Sequence, residues 1–127
     1  MRMAGVSERV FFFDTYAFFE VIRGNPKYDP YIDAVAVTTV FNLAELNYGL
    51  KKNGDARETD AITSRYWPSV VEVTLEDVQA AMSLRLKQKD MSIPDVIGYT
   101  LEKRLGIRFL TGDDDFRDMP NVEFVKK

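Results

Sequence analysis

The chain has 127 residues, 46% of them hydrophobic, with a formal net charge of −3 and neither cysteine nor histidine. That length fits a single domain, 1–127, with a real core, and the acidic balance argues against holding nucleic acid by bulk positive charge while leaving room for a local basic contact. The missing residue types exclude disulfides, thiolate or imidazole zinc sites, a cysteine nucleophile and a Ser-His-Asp triad, so any catalysis must use carboxylates, hydroxyls, amines or oxygen-bound metals.

The first nine residues carry no long apolar run, and Val10–Phe13 is too short to span a bilayer. We therefore expect neither a signal peptide nor a membrane anchor, and a reducing cytoplasm as the setting. Val10–Phe13 is continuously apolar, which predicts a buried first strand, followed by a helix over Tyr16–Arg23. Gly24-Asn25-Pro26 stops that helix, and Pro26–Ala34 reads as a short helical or irregular connection. Val35–Thr38 is a second strand feeding a long helix over about Thr39–Lys52. After the turn Asn53-Gly54-Asp55, Ala56–Trp67 predicts a second helix folded back as a hairpin, closed by Pro68.

Val70–Val73 reads as another short strand. Thr74 and Asp77 form a capping-box pattern before a helix over Leu75–Lys89, in which Val78, Met82 and Leu86 recur at fourfold spacing. A helix over Ile93–Leu105 ends at Gly106, and a strand at Ile107–Leu110, a helical turn and a last strand near Val122–Val125 complete the chain. Apolar strands alternating with helices predict a three-layer α/β/α architecture: a central, mostly parallel, roughly five-stranded sheet with a protruding helical hairpin. Ligands of such sheets sit beyond the carboxyl ends of the strands, where strand order reverses.

Four acids are directed towards that edge. Asp14 and Asp113 follow strands directly, Asp95 opens a helix after Ser92-Ile93-Pro94, and Glu45 lies on a helix face with Phe41 and Tyr48. Each has a structural explanation alone: a cap for Asp14, a surface charge for Glu45, a capping box for Asp95, an Asx turn for Asp113. Their convergence is harder to explain that way. Carboxylates gathered without a compensating cationic side chain suit hard, oxygen-loving ions such as Mg²⁺ or Mn²⁺. Asp114, beside them, reads as a solvated or helix-start charge.

Asp14-Thr15 after an apolar strand, Ala44-Glu45-Leu46, Ser92-Ile93-Pro94-Asp95 and Leu110-Thr-Gly-Asp-Asp-Asp-Phe116 resemble, in order and spacing, the PIN-domain ribonucleases, most closely the VapC-type toxins. The resemblance implies that Asp14, Glu45, Asp95 and Asp113 form an acidic quartet holding one or two Mg²⁺ or Mn²⁺ ions, with Asp115 a fifth acid and Thr111 a hydrogen-bonding hydroxyl. It further implies hydrolysis of RNA, a homodimer, and an antitoxin protein that blocks the cleft. The carboxylates would position metal and water for in-line attack at phosphorus rather than act as covalent nucleophiles.

For RNA contact the candidates are Lys51, Lys52, Arg57, Arg65 and Arg85, with Tyr66 or Trp67 to stack a base. The Thr39–Lys52 helix is apolar on two sides, Phe41 and Tyr48 against Leu43, Leu46 and Leu50, which predicts a core contact on one side and a dimer or antitoxin contact on the other. Alternative readings are a housekeeping RNA-processing nuclease, a catalytically silent binding module, and a phosphotransferase with Asp14 as nucleophile. The last lacks a second aspartate two residues on, where Tyr16 stands.

Overall fold

The computed structural model describes residues 9–127; the first eight residues, on which the reading of no leader partly rests, lie outside them. Four strands, β1 (Val10–Phe13), β2 (Val35–Val37), β3 (Arg108–Thr111) and β4 (Val122–Phe124), form one sheet in the order β2-β1-β3-β4. All pairings are parallel, with Phe12 opposite Val37 on one side and Phe109 on the other, and Leu110 opposite Glu123. Among the described residues five α-helices accompany them: α1 (Thr15–Arg23), α2 (Val40–Lys51), α3 (Ala56–Ser64), α4 (Leu75–Lys87) and α5 (Ile93–Leu105). Among the described residues no helix is long and apolar enough to cross a membrane.

The unbroken apolar run of β1 follows from burial on both faces, since successive side chains point to opposite sides of a strand. Phe12 and Phe109 turn to one face, their rings stacked at 5.3 Å, within a cluster completed by Ala81, Val96, Ile97, Tyr99 and Phe116. Phe11, Phe13 and Leu110 turn to the other face and meet Ala17, Phe18 and Leu46. The sheet thus separates two cores, one under α4 and α5 and one under α1 and α2.

Two expectations are corrected. The sheet has four strands, not about five: of Val70–Val73 only Val70 makes a bridge, to Thr38, through Thr38 N to Ser69 O (2.9 Å) and Val71 N to Thr38 O (2.9 Å). Pairing stops there because Thr39 already caps α2, leaving Val71 and Val73 no strand to continue along, and they pack against the α4/α5 core instead. The hairpin's second helix ends at Ser64, since Pro68 disfavours helical backbone at Trp67 and lacks an N–H, and residues 67–69 tighten into a 3₁₀ turn.

The predicted stripe on α4 also faces differently. Asp77 and Ala81 form its buried side, where Ala81 permits close packing on α5 and Asp77 meets Arg104, while Leu75, Val78 and Leu86 are exposed and Met82 is half-buried. In α2 one apolar side is packed, with Leu46 buried and Leu43 and Leu50 against the core; the other, Phe41 and Tyr48, is exposed.

Candidate active site

Beyond β1 and β3 the chain leaves the sheet in opposite directions. The helix α1 turns to the core of Ala17 and Phe18, and the turn after β3 sends Phe116 to the other core. This reversal opens a crevice between the two strand ends, and Asp14 and Asp113 stand on its two sides. The cavity there encloses about 590 Å³ and is lined by Asp14, Glu45, Asp95 and Asp113 together with residues of α1 and α2.

Asp14 occupies the N-cap position of α1 but its carboxylate makes no cap bond; the main-chain carbonyl accepts from Ala17 N and Phe18 N instead. Asp14 is 3% exposed, and its Oδ2 accepts from the Thr111 hydroxyl at 2.7 Å. The same hydroxyl accepts from Asp113 N at 3.1 Å, so one fully buried threonine ties the two strand ends together. Gly112 lets the loop close: a Cβ there would lie 2.3 Å from Val125 O and 2.4 Å from the Tyr16 ring.

Glu45 is set from α2, where its Oε1 accepts from the Thr15 hydroxyl at 2.9 Å. Thr15 in turn accepts from Asn42 Nδ2 (3.1 Å), and Asn42 Oδ1 accepts from the Thr39 hydroxyl (2.7 Å). The bond from Asn42 to Thr15 was not foreseen from sequence; an amide three residues before Glu45, on the same helix face, was the available signal. Asp95 forms the predicted capping box, Asp95 N to Ser92 Oγ and Ser92 N to Asp95 Oδ2, and also lines the cavity, so the cap does not take it out of the cleft. Asp113 Oδ1 accepts from Asp115 N at 2.9 Å, the Asx turn.

Carboxylate oxygens of Asp95, Asp113 and Asp115 lie within 4.8 Å of one another. Asp114 faces away, paired with Arg117 and Lys126 at 2.9 Å each. Burial, reinforced by Asp95, pushes the Asp14 carboxyl up to about 8, against the pull of the Thr111 bond. Asp95 is raised by burial, with Asp113 and Glu45 adding and its Ser92 bonds opposing, and Asp115 is raised chiefly by Asp113. Repelling carboxylates with no ion-pair partner among the described residues require protons or a cation, and an all-oxygen donor set fits Mg²⁺ or Mn²⁺.

A family model described as the PIN domain matches residues 11–122, from β1 to the start of β4. The chain belongs to the PIN domain family. No curated protein matches the sequence. Among solved structures this PIN domain is similar to a toxin-antitoxin complex from Klebsiella pneumoniae, at 18% identity and a TM-score of 0.75, over 92% of this chain and 99% of that one. It is also similar to VapBC2 from Rickettsia felis bound to a DNA fragment from the promoter, at 13% identity and a TM-score of 0.71, over 92% and 98% of the two chains. At these identities the likeness is one of fold.

Of the five basic residues singled out in the PIN sequence, Lys52 lines the acidic cavity. Lys51 pairs with Asp60 at 2.8 Å, Arg57 is exposed in the first turn of α3, Arg65 borders a separate hollow with Ile22 and Glu58, and Arg85 donates from Nε to Met91 O on α4. Tyr66 packs its ring against Phe18 at 4.6 Å, and Trp67 is exposed beside Leu43 and Thr63. Arg23, not singled out, does line the cavity. Its signal was the spacing Tyr16, Phe19, Arg23 along one face of α1.

Proposed function

We propose that this PIN domain is a Mg²⁺- or Mn²⁺-dependent endoribonuclease, the toxin of a toxin–antitoxin pair, working in the cytoplasm as a single domain. The observation that carries the reading is the set Asp14, Glu45, Asp95 and Asp113 around one cavity at the strand-order reversal, without a paired cation. PIN domains are generally nucleases, and the similar structures are named as a toxin-antitoxin complex from Klebsiella pneumoniae and as VapBC2 from Rickettsia felis, which supports the toxin role and an antitoxin partner.

The residues that would hold the ion are Asp14, Glu45, Asp95 and Asp113, which line the cavity, with Asp115 as a fifth acid within 4.8 Å of the Asp95 and Asp113 carboxylates. When bound, it supplies Lewis-acid polarisation of the phosphate and activation of the attacking water. The chain's own contribution is positioning. The Thr111 hydroxyl donates to the Asp14 carboxylate and accepts from Asp113 N, the Thr15 hydroxyl donates to Glu45, and the backbone N–H groups of Ser92 and Asp115 hold the carboxylates of Asp95 and Asp113. No carboxylate needs to attack phosphorus itself.

Besides the exposed Phe41 and Tyr48 side of α2, the exposed face of α4 offers the homodimer a contact. Leu75, Val78 and Leu86 lie between an acidic N-terminal end (Glu72, Glu76) and a basic C-terminal end (Arg85, Lys87, Lys89). An antiparallel pairing of two copies sets each acidic end against the other's basic end, an isologous contact. Leu86→Glu should turn a sedimenting dimer into monomer, and a wild-type protein that sediments as monomer at micromolar concentration removes this contact.

Purified protein should cleave RNA in Mg²⁺ or Mn²⁺ and stop on addition of chelator. Cleavage that persists in chelator, or Asp95→Asn cutting at the wild-type rate, would refute the reading.

A further inference from the structure

The cavity that holds the acids does not end at them. Thr15 of α1 bonds Glu45 of α2, and four residues further along both helices Phe19 packs so closely on Gly49 that a Cβ at 49 would sit 2.4 Å from Phe19 Cζ. The two helices therefore run side by side in the same direction. Near the ends of both helices, Arg23 from the last turn of α1 and Lys52 and Asn53 just beyond α2 line the same cavity. At 1.5 Å of rise per residue, Arg23 stands roughly 12 Å from Thr15 along the helix axis. The site is a trough, acidic at the strand ends and cationic at the far end.

Its far end has a particular composition. Lys52 Nζ lies 5.3 Å from the centre of the Tyr48 ring, and the Arg23 guanidinium lies 5.2 Å from that of Phe19. Tyr48 is 68% exposed, an aromatic surface that the core does not use. Lys52 has no ion-pair partner among the described residues; Arg23 gives one donor to Glu20 Oε2 at 2.8 Å and keeps the rest of its guanidinium. Cations alternating with aromatic faces along a groove suit a polymer that carries an anion and a planar ring in each unit.

Building on the nuclease reading, we infer that the trough between α1 and α2 is a subsite for the nucleotides flanking the scissile phosphate, with Lys52 and Arg23 on the backbone phosphate and Tyr48 stacking the base. The strand it accepts is single-stranded RNA. A base offers its face to Tyr48 only when unstacked from its neighbours. The packing of Phe19 on Gly49 sets the floor between the two ends. The acidic end positions the reaction and the cationic end selects what lies beside it.

The test is fluorescence anisotropy of a labelled single-stranded oligoribonucleotide in chelator, where binding is read without cleavage, against salt concentration. Lys52→Gln and Arg23→Gln should each weaken binding and lower the slope of log affinity against log salt by about 0.7, the contribution of one phosphate contact on a single strand. Tyr48→Ala should weaken binding roughly tenfold with the slope unchanged, and Tyr48→Phe should restore it. Unlabelled duplex RNA should compete poorly.

Unchanged affinity and slope in the three variants, or duplex RNA competing as well as single strands, would overturn the subsite. A polyglutamate peptide displacing the probe as well as RNA does would assign the trough to an acidic peptide and overturn it equally. The two readings fail separately. Protein that binds as described but leaves RNA uncut in Mg²⁺ defeats the nuclease reading alone; protein that cuts RNA with no dependence on Lys52, Arg23 or Tyr48 defeats the subsite alone.

Discussion

Asp14 and Asp77 are the same residue type at nearly the same burial, 3% and 2% exposed, and the protein treats them in opposite ways. Asp77 receives a two-pronged contact from Arg104, Nε to Oδ1 at 2.8 Å and Nη2 to Oδ2 at 2.9 Å, and closes the capping box with Thr74; the guanidinium holds its carboxyl below the usual range. Asp14 has a threonine hydroxyl and other acids for company, and its carboxyl is pushed up to about 8. A buried carboxylate that serves the fold is neutralised from within, whereas one left short of positive charge is held ready for something from outside. Glu102 is a third case: fully buried, with Oε2 accepting from Asn121 Nδ2 at 2.6 Å and Oε1 without a partner among the described residues.

The largest effect should come from Asp14→Asn. This near-isosteric change is expected to lower RNA cleavage by about a thousandfold or more, on the order of 4 kcal/mol in activation free energy, while the melting temperature in chelator stays level or rises because a repelling charge is removed. A melting temperature that falls by several degrees would place Asp14 with Asp77 as a structural acid and erase the contrast.

Arg104→Met should do the reverse. It strands Asp77 and should lower the midpoint of denaturant unfolding, by less than breaking a fully buried pair would because Arg104 is itself 42% exposed. Cleavage per folded molecule should hold. The pair's stabilisation is present above the ordinary aspartate range and is lost as pH falls through the lowered carboxyl value of the folded state.

Glu102 should show the smaller, pH-gated effect. Burial raises its carboxyl from 4.5 to about 7, so the folded state binds the proton more tightly than the unfolded one. No penalty exists below about pH 4.5; it grows as pH rises and is complete above about 7, reaching on the order of 3 kcal/mol. Glu102→Gln is therefore expected to melt above wild type at about pH 8 and to converge with it at about pH 4.5. A gap that is the same at both ends would show that charge at this position is not what destabilises the protein.

How much of this was legible in the sequence differs from residue to residue. Local rules carried far: the apolar run of β1, the capping boxes at Thr74/Asp77 and Ser92/Asp95, and the C-terminal Gly106 of α5, at φ +69°, all depend on neighbours within a few positions, so periodicity and cap chemistry suffice. The alternation of strands and helices likewise implied the parallel three-layer sheet. That some acids follow strands, and so stand at one edge, is also a one-dimensional fact.

What tertiary structure alone decided involves residues far apart in the chain. Val70–Val73 has strand composition but no partner beyond Thr38, because ladder bonds need a second strand that α2 has already replaced. The α4 stripe of Leu75, Val78 and Leu86 faces outward because Asp77 found Arg104, 27 residues on, and Ala81 allowed α5 to approach on that side. Asp14 escaped the capping role its position offered because Thr111, 97 residues away, holds its carboxylate. The Phe19–Gly49 contact, and with it the trough that brings Arg23 beside Lys52, is a matter of helix register, which no pattern within α1 or α2 records.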